Sequence, residues 1–310
     1  MGKAFARLLR EKRAAYPFPI VGIHTANHGT AFDFKGLSLT PEFGPAVQSV
    51  NEFLDRAKPD VAIEITTLNP ETGEPAISHI RSALLRNIHV ITANKGPIAH
   101  AYAGLQEEAR RAQAEFRFES TVMDGAPVFN MVRNALPAVK IAGFTGVLNS
   151  TSKVVIAAMA RGESMEAGVR EAQALGIAEA DASFDIDGWD SAAKTAALAN
   201  VLMDARTTPQ QVEREGIRGF TPEQVEALAH QGQTVLMVSR AERNGDQVHL
   251  RVTPEILPKT DLLAAAQGTS NIILFDTDLM GTIGTVSIDP GVEQTAYGLF
   301  SDLVDIARSV

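Results

Sequence analysis

Between Gly176 and Lys194 the chain reads G-I-A-E-A-D-A-S-F-D-I-D-G-W-D-S-A-A-K, a glycine-marked loop of carboxylates that closes on a lysine. The acids are Glu179, Asp181, Asp185, Asp187 and Asp190. Carboxylates gathered in a desolvated loop can hold a cation such as an ammonium group, and a lysine beside them can give or take a proton. Ser191 to Met203 is rich in alanine and leucine, with no Gly or Pro, and predicts a helix. Asp190 and Lys194 then sit on one helix face, one turn apart. The rest of that helix is apolar and should be buried, so the lysine must be paired or must lose its proton more easily than usual. The plainer alternative is that Asp187 or Asp190 is the helix N-cap and that Asp190 and Lys194 form an ordinary ion pair. One cap, however, does not need four other acids.

Length and composition bound what these residues can serve. With 310 residues, 45% of them hydrophobic, the chain can bury a sizeable core, and two domains are expected. A net charge of −9 and a pI near 5.3 argue against nucleic acid or an anionic membrane as partner. No apolar run reaches membrane-spanning length and Met1 to Arg13 lacks the apolar centre of a signal peptide, so a cytoplasmic protein is expected. There is no cysteine, which excludes disulfides, thiolate metal sites and aldehyde chemistry through a thiohemiacetal.

The positioning elements read as an α/β pattern. Gly2 to Arg13 has helix spacing, and Ile20 to Ile23 reads as a short buried strand. Helix Val47–Ala57, strand Asp60–Ile65, a helix over 77–86 and strand His89–Thr92 follow. Thr66 and Thr67 end one strand and T-A-N-K-G-P, with Lys95, ends the other; ligands of open α/β sheets gather at such ends. By itself N-K-G is a turn. Helix Tyr102–Ala114 and strand Glu115–Glu119 lead to E-S-T-V-M-D-G-A-P, and Pro127 to Leu136 looks like a connecting helix. A strand over 141–149, helices over 152–161 and 164–175, and a hairpin turning at Asn244-Gly245 suggest a mostly antiparallel second domain. Strands over 271–275 and 284–288 and a last helix, Ala296–Arg308, finish the chain.

The run G-x-A-E-x-D, an Asp, then G-x-D-x-x-x-K resembles the substrate-binding and catalytic segment of homoserine dehydrogenases, and T-A-N-K-G-P resembles a second motif of that family. The resemblance implies a Rossmann-like nucleotide-binding domain over 1–126, with 291–310 packing back on it, and an α+β catalytic and dimerisation domain over 127–290. It implies substrate binding by Glu179, Asp185 and Asp190, and proton transfer by Lys194 or Lys95. Cofactor contacts are implied at Gly2, Thr66, Thr67, Lys95, Gly176 and Gly291. It also implies a sodium ion held through Glu119, Val122, Asp124 and Ala126; a loop with a solvated acid is the alternative there. Ser150 stands where related dehydrogenases have glycine in N-G-T.

The family's first strand and the first glycines of its pyrophosphate turn would lie upstream of Met1, so the first strand is absent here and the natural protein is expected to start further upstream. No carboxylate precedes Asp33 after strand 20–23, and His24, Thr25, Asn27 and His28 would tolerate a 2′-phosphate, so the cofactor reading leans to NADP over NAD. The implied reaction is reversible NAD(P)-dependent reduction of L-aspartate 4-semialdehyde to L-homoserine by a cytoplasmic homodimer acting on a small amino acid. Two alternatives remain: another NAD(P)-dependent amino-acid dehydrogenase of the same plan, and a non-catalytic binding protein.

Overall fold

The computed structural model describes residues 1–309. In chain order the elements begin with α1 (Gly2–Glu11), β1 (Gly22–Thr25), β2 (Gly29–Phe32), α2 (Val50–Ala57), β3 (Val61–Glu64) and α3 (Ala76–Leu84). Next come β4 (His89–Thr92), α4 (Lys95–Arg111), β5 (Phe116–Arg117), β6 (Ile141–Val147), α5 (Ser150–Met159) and α6 (Met165–Ala174). Then α7 (Ser183–Ile186), α8 (Trp189–Met203), β7 (Glu213–Arg214), α9 (Pro222–His230) and β8 (Gln233–Asn244) follow. The chain closes with β9 (Gln247–Pro258), β10 (Asn271–Thr277), β11 (Gly281–Ser287) and α10 (Val292–Ser309). They form two units: residues 1–97, 103–125 and 291–310, and residues 98–102 and 126–290.

The first unit is built on a parallel sheet in the order β3-β4-β5. Helical crossovers join the strands, as parallel pairing demands. Its core joins two helices far apart in sequence, α1 and α10. Phe5 and Leu9 of α1 and Ile91 of β4 pack with Leu299, Phe300, Leu303 and Val304 of α10. Each such side chain contributes about 1.5–3 kcal/mol when fully buried.

The expected buried strand at 20–23 is corrected here. β1 spans Gly22–Thr25, is only partly buried, and pairs antiparallel with β2 outside the parallel sheet. The local cause is a tight turn at Gly29, whose φ of +86° and lack of Cβ let it sit against the Gly44 carbonyl. Any Cβ there would lie 2.1 Å from that oxygen.

The second unit is built on a six-stranded sheet, β11-β10-β6-β8-β9-β7, antiparallel except for the β7–β9 pair. The β8–β9 hairpin is longer than the sequence suggested, with twelve residues in each strand. Its turn passes through Gly245 at φ +62°. Helix α8 packs against β6, β8 and β9. It is buried over Asp190–Ala193 and Thr195–Asn200, as its apolar composition requires.

Three further differences concern helices. Residues expected as a helix over 127–136 form a π-helical segment at Met131–Ala135. The loop of acids contains the short helix α7. Helix α9 was not anticipated, although Thr221 and Gln224 form a reciprocal capping box with Pro222 at the first helical position.

Candidate active site

In the second unit the acid loop and α8 meet the carboxyl end of β6. Asn149, just after β6, uses its side-chain oxygen to cap α5, accepting from Ser152 N at 2.8 Å. That leaves its amide nitrogen free to donate twice, to Asp185 Oδ1 at 2.5 Å and to Asp190 Oδ2 at 3.0 Å. Lys194 completes the group. Its ammonium donates to the Leu148 carbonyl at 2.6 Å and pairs with Asp190 Oδ2 at 3.1 Å. Asp190 is buried and the Lys194 side chain is 17% exposed, so the pair is largely out of water.

The helix-cap alternative does not hold. The residue before α8 is Gly188 at φ +79°, with no side-chain cap, and Asp190 lies inside the first turn. Asp187 is used elsewhere, accepting from Arg218 at 2.5 Å. The Arg214 guanidinium lies 3.8 Å above the Trp189 ring, so two arginines hold the start of α8.

Glu179 stands outside this hydrogen-bonded group. Its side chain is exposed, and its carbonyl accepts from Gln173. Gly176, at φ +72°, closes α6 in a Schellman arrangement: Gly176 N donates to Gln173 O, and Ile177 N to Ala172 O.

Two contributors were not singled out in the sequence: Asn149 as the hub, and Lys153 one helical turn beyond it. Lys153 is buried, and its ammonium donates to the carbonyls of Ala266 and Ser270. Burial, reinforced by the charge of Lys194, lowers its pKa from the ordinary 10.5 to about 7, against the opposing pull of Asp289. The unfolded chain therefore binds more protons than the folded one between those values, so stability rises with pH across that window. Denaturation midpoints of the wild type relative to Lys153→Met should climb from pH 7 to pH 9; a flat difference would refute the assignment. Asn149→Ala should lower the melting temperature, because α5 loses its cap and both carboxylates lose a common donor. A thermal melt that does not move would contradict this.

In the first unit the sites lie at the strand ends. Glu64 ends β3 and is buried. It accepts from Thr66 N at 2.8 Å, Thr66 Oγ1 at 2.5 Å and Thr92 Oγ1 at 2.8 Å. Thr92 Oγ1 in turn accepts from Asn94 N, and Asn94 caps α4 by accepting from Gly96 N at 3.0 Å. This chain fixes Thr66 and the first residue of α4, Lys95; Thr67 beside them is exposed. Gly2 opens α1 against the end of β3, where a Cβ would lie 3.3 Å from Ile65 Cδ1.

At the β1–β2 turn His24 Nδ1 is 2.9 Å from Thr30 Oγ1, and residues 25–29 contain no carboxylate. Glu119, in a 3₁₀ turn, is 2% exposed, and its N–H donates to Asp302 Oδ2 at 2.8 Å. Val122 is buried, Asp124 has φ +56° and accepts from Thr295 Oγ1, and Ala126 opens the second unit. Gly291 N donates to Gln294 Oε1 at 2.6 Å.

A parallel α/β unit with a lysine at a strand end, joined in one chain to an antiparallel unit holding an acid–lysine cluster, is the pattern of a nicotinamide-dependent oxidoreductase acting on a CH–OH group. Residues 127–304 match the family described as homoserine dehydrogenase. The chain is 37% identical over 268 residues to the NAD(+)-dependent homoserine dehydrogenase of Pseudomonas canavaninivorans, covering 86% of this chain and 76% of that one. It is 33% identical to a homoserine dehydrogenase of Methanocaldococcus jannaschii, over 100% of this chain and 96% of that protein. A hyperthermophilic archaeal homoserine dehydrogenase solved in complex with NADPH superposes with a TM-score of 0.84 at 26% identity, covering 100% and 95%. A crystal structure from Archaeoglobus fulgidus gives 0.87 at 29% identity, covering 98% and 95%. The chain belongs to the homoserine dehydrogenase family, NAD(P)-dependent oxidoreductases.

Proposed function

We propose that this chain interconverts L-aspartate 4-semialdehyde and L-homoserine with Lys194 as the acid/base group. The observation that carries this reading is the ammonium of Lys194 held between Asp190 Oδ2 and the Leu148 carbonyl in a largely desolvated site. The bound nicotinamide supplies or accepts the hydride. In reduction Lys194 gives a proton to the aldehyde oxygen as negative charge gathers there, and in oxidation it takes the hydroxyl proton back. Asp185 and Asp190, sharing the Asn149 amide, bind the substrate ammonium, and Glu179 adds a third carboxylate from its exposed loop. Lys95 positions substrate and contributes positive charge from the strand end.

Residues 1–126 and 291–310 serve as the nucleotide-binding domain, and residues 127–290 as the catalytic domain. The first unit fits a dinucleotide at three places. Gly2 leaves room at the start of α1, Thr66 and Thr67 lie at the end of β3, and the β1–β2 turn offers His24 and His28 without an acid. Gly176 and Gly291 complete the contacts. The missing carboxylate favours NADP, although one relative is named for NAD(+) and one neighbour was solved with NADPH. A sodium ion fits the buried Glu119 and the left-handed turn at Asp124, with the carbonyls of Val122, Asp124 and Ala126 as further ligands.

The active form is a cytoplasmic homodimer. Leu279, Met280, Val286 and Ile288 on and beside the β10–β11 hairpin are exposed, and no helix of the described residues is long and apolar enough to cross a membrane. Steady-state oxidation of homoserine against other amino acids, with NAD and NADP compared and sodium omitted in parallel, tests the reading. A preference for another amino acid would overturn it.

A further inference from the structure

Of the acids between Gly176 and Lys194, Asp185 and Asp190 converge on Asn149, and each directly follows an aromatic residue, Phe184 and Trp189. Those two rings lie over one another, with centroids 6.5 Å apart and planes 12° from parallel. Arg214 covers Trp189, its guanidinium carbon 3.8 Å from the ring centroid. Phe184, Trp189 and Arg214 come from α7, α8 and β7, so a series of flat contacts joins three elements beside the acid pair.

Arg214 has a second hold on the same place. Its guanidinium also donates to the Asp187 carbonyl, in the joint between α7 and α8. That joint turns through Gly188 at φ +79°, where a Cβ would lie 3.3 Å from Arg214 Cγ. The segment carrying Arg214 is itself fixed to the sheet. Arg214 is paired with Val252 of β9, and Glu215 N donates to the Val252 carbonyl at 2.9 Å. At Gly216 the segment meets the joint backbone to backbone: a Cβ there would lie 2.6 Å from Ile186 O and 2.8 Å from Asp187 Cα.

We propose that Phe184, Trp189 and Arg214 form a positioning stack for the substrate acids, setting the separation of Asp185 and Asp190 and thereby the grip on the substrate ammonium. This rests on the substrate-binding role given above to those two acids. Two carboxylates drawn to one amide nitrogen repel each other, and that nitrogen is a pivot rather than a spacer. Because a ring precedes each acid by one residue, any change in the spacing of the rings moves the carboxylates with them. A small misplacement of such groups is costly to binding. Arg218 is a weaker candidate for the same task. It grips Asp187 through both carboxylate oxygens, but the side chains of that pair are 58% and 33% exposed, and exposed pairs contribute little. Arg214 is half-buried, and lying flat on an indole while donating in plane to a carbonyl suits a guanidinium far better than an ammonium.

Trp189 is the only tryptophan in the chain, so its emission reads this joint alone. In Arg214→Met, acrylamide quenching of that emission should rise. The KM for homoserine should rise about tenfold or more while kcat falls less than about threefold, since Lys194 is untouched. Arg214→Lys should show both changes, Phe184→Leu the same split of KM from kcat, and Arg218→Ala a KM within about twofold of wild type. A wild-type KM in an Arg214→Met protein of wild-type melting temperature would overturn the proposal. So would full recovery in Arg214→Lys, an equal rise in Arg218→Ala, or a loss confined to kcat. Should the methionine variant fail to fold, Arg214→Lys and Phe184→Leu decide by the same split. A wild type that oxidises another amino acid in place of homoserine, with the KM for that substrate rising in Arg214→Met, would support the stack and overturn the assigned reaction.

Discussion

Lys194→Ala is expected to lower kcat for homoserine oxidation by about 100- to 10,000-fold while leaving cofactor affinity little changed. Truncation removes the ammonium held by both Asp190 Oδ2 and the Leu148 carbonyl, and with it the proton donor at that point. Asp190 keeps its bond from Asn149, and the helix around it is alanine-rich, so the fold should tolerate the change. Lys194→Arg should not restore turnover, because a guanidinium cannot release a proton in the working range. Steady-state kinetics with cofactor titration by fluorescence separates the two quantities. Unchanged turnover would remove Lys194 from the reaction.

The second large effect is on stability. Gly125→Ala should destabilise the first unit by about 3 kcal/mol or more. A Cβ at Gly125 would lie 1.9 Å from the Gln294 carbonyl oxygen and 2.9 Å from Gly298 N, both backbone atoms of α10. Backbone cannot swing aside as a side chain can, so α10 would have to move, and it carries Leu299, Phe300 and Leu303 into the core with α1. Gly298→Ala meets Ser120 Oγ at 2.2 Å as well as Gly125 Cα at 2.9 Å. Ser120→Ala should therefore relieve part of the Gly298→Ala cost and none of the Gly125→Ala cost. Urea unfolding of the three single variants and of the two double variants that add Ser120→Ala to each glycine change checks the pattern, and equal rescue of both glycine variants would contradict it.

Part of the candidate site's geometry could be read from local spacing. Asp190 and Lys194 are four residues apart on a helix of good helix formers, so their pairing follows from helix geometry alone. Lys95 after β4 was legible for a similar reason, since a residue just past a parallel strand falls at the strand's carboxyl end. What joins Asn149 to Asp185 and Asp190 spans 36 and 41 residues of sequence, and no local pattern encodes such a meeting. Lys153 was invisible for another reason. A lysine in S-T-S-K reads as a solvated helix start, and only the strand order and the 266–270 segment bury it. The hairpin at β1 was misread because an apolar I-V-G-I looks the same whether it joins a parallel sheet or folds back on a glycine turn. Helix α9 carries a local start signal of its own in T-P-E-Q.

The contact of α1 with α10 has a kinetic side. A ribosome makes Phe5 and Leu9 long before Leu299 to Val304, yet they share one core. The antiparallel sheet and α8 are complete in sequence well before α10 emerges. During synthesis the chain therefore holds exposed apolar surface on α1 and on β4 until α10 emerges, while the antiparallel unit can already be compact. Nascent chains arrested just short of residue 292 should be bound by chaperones at their amino-terminal third.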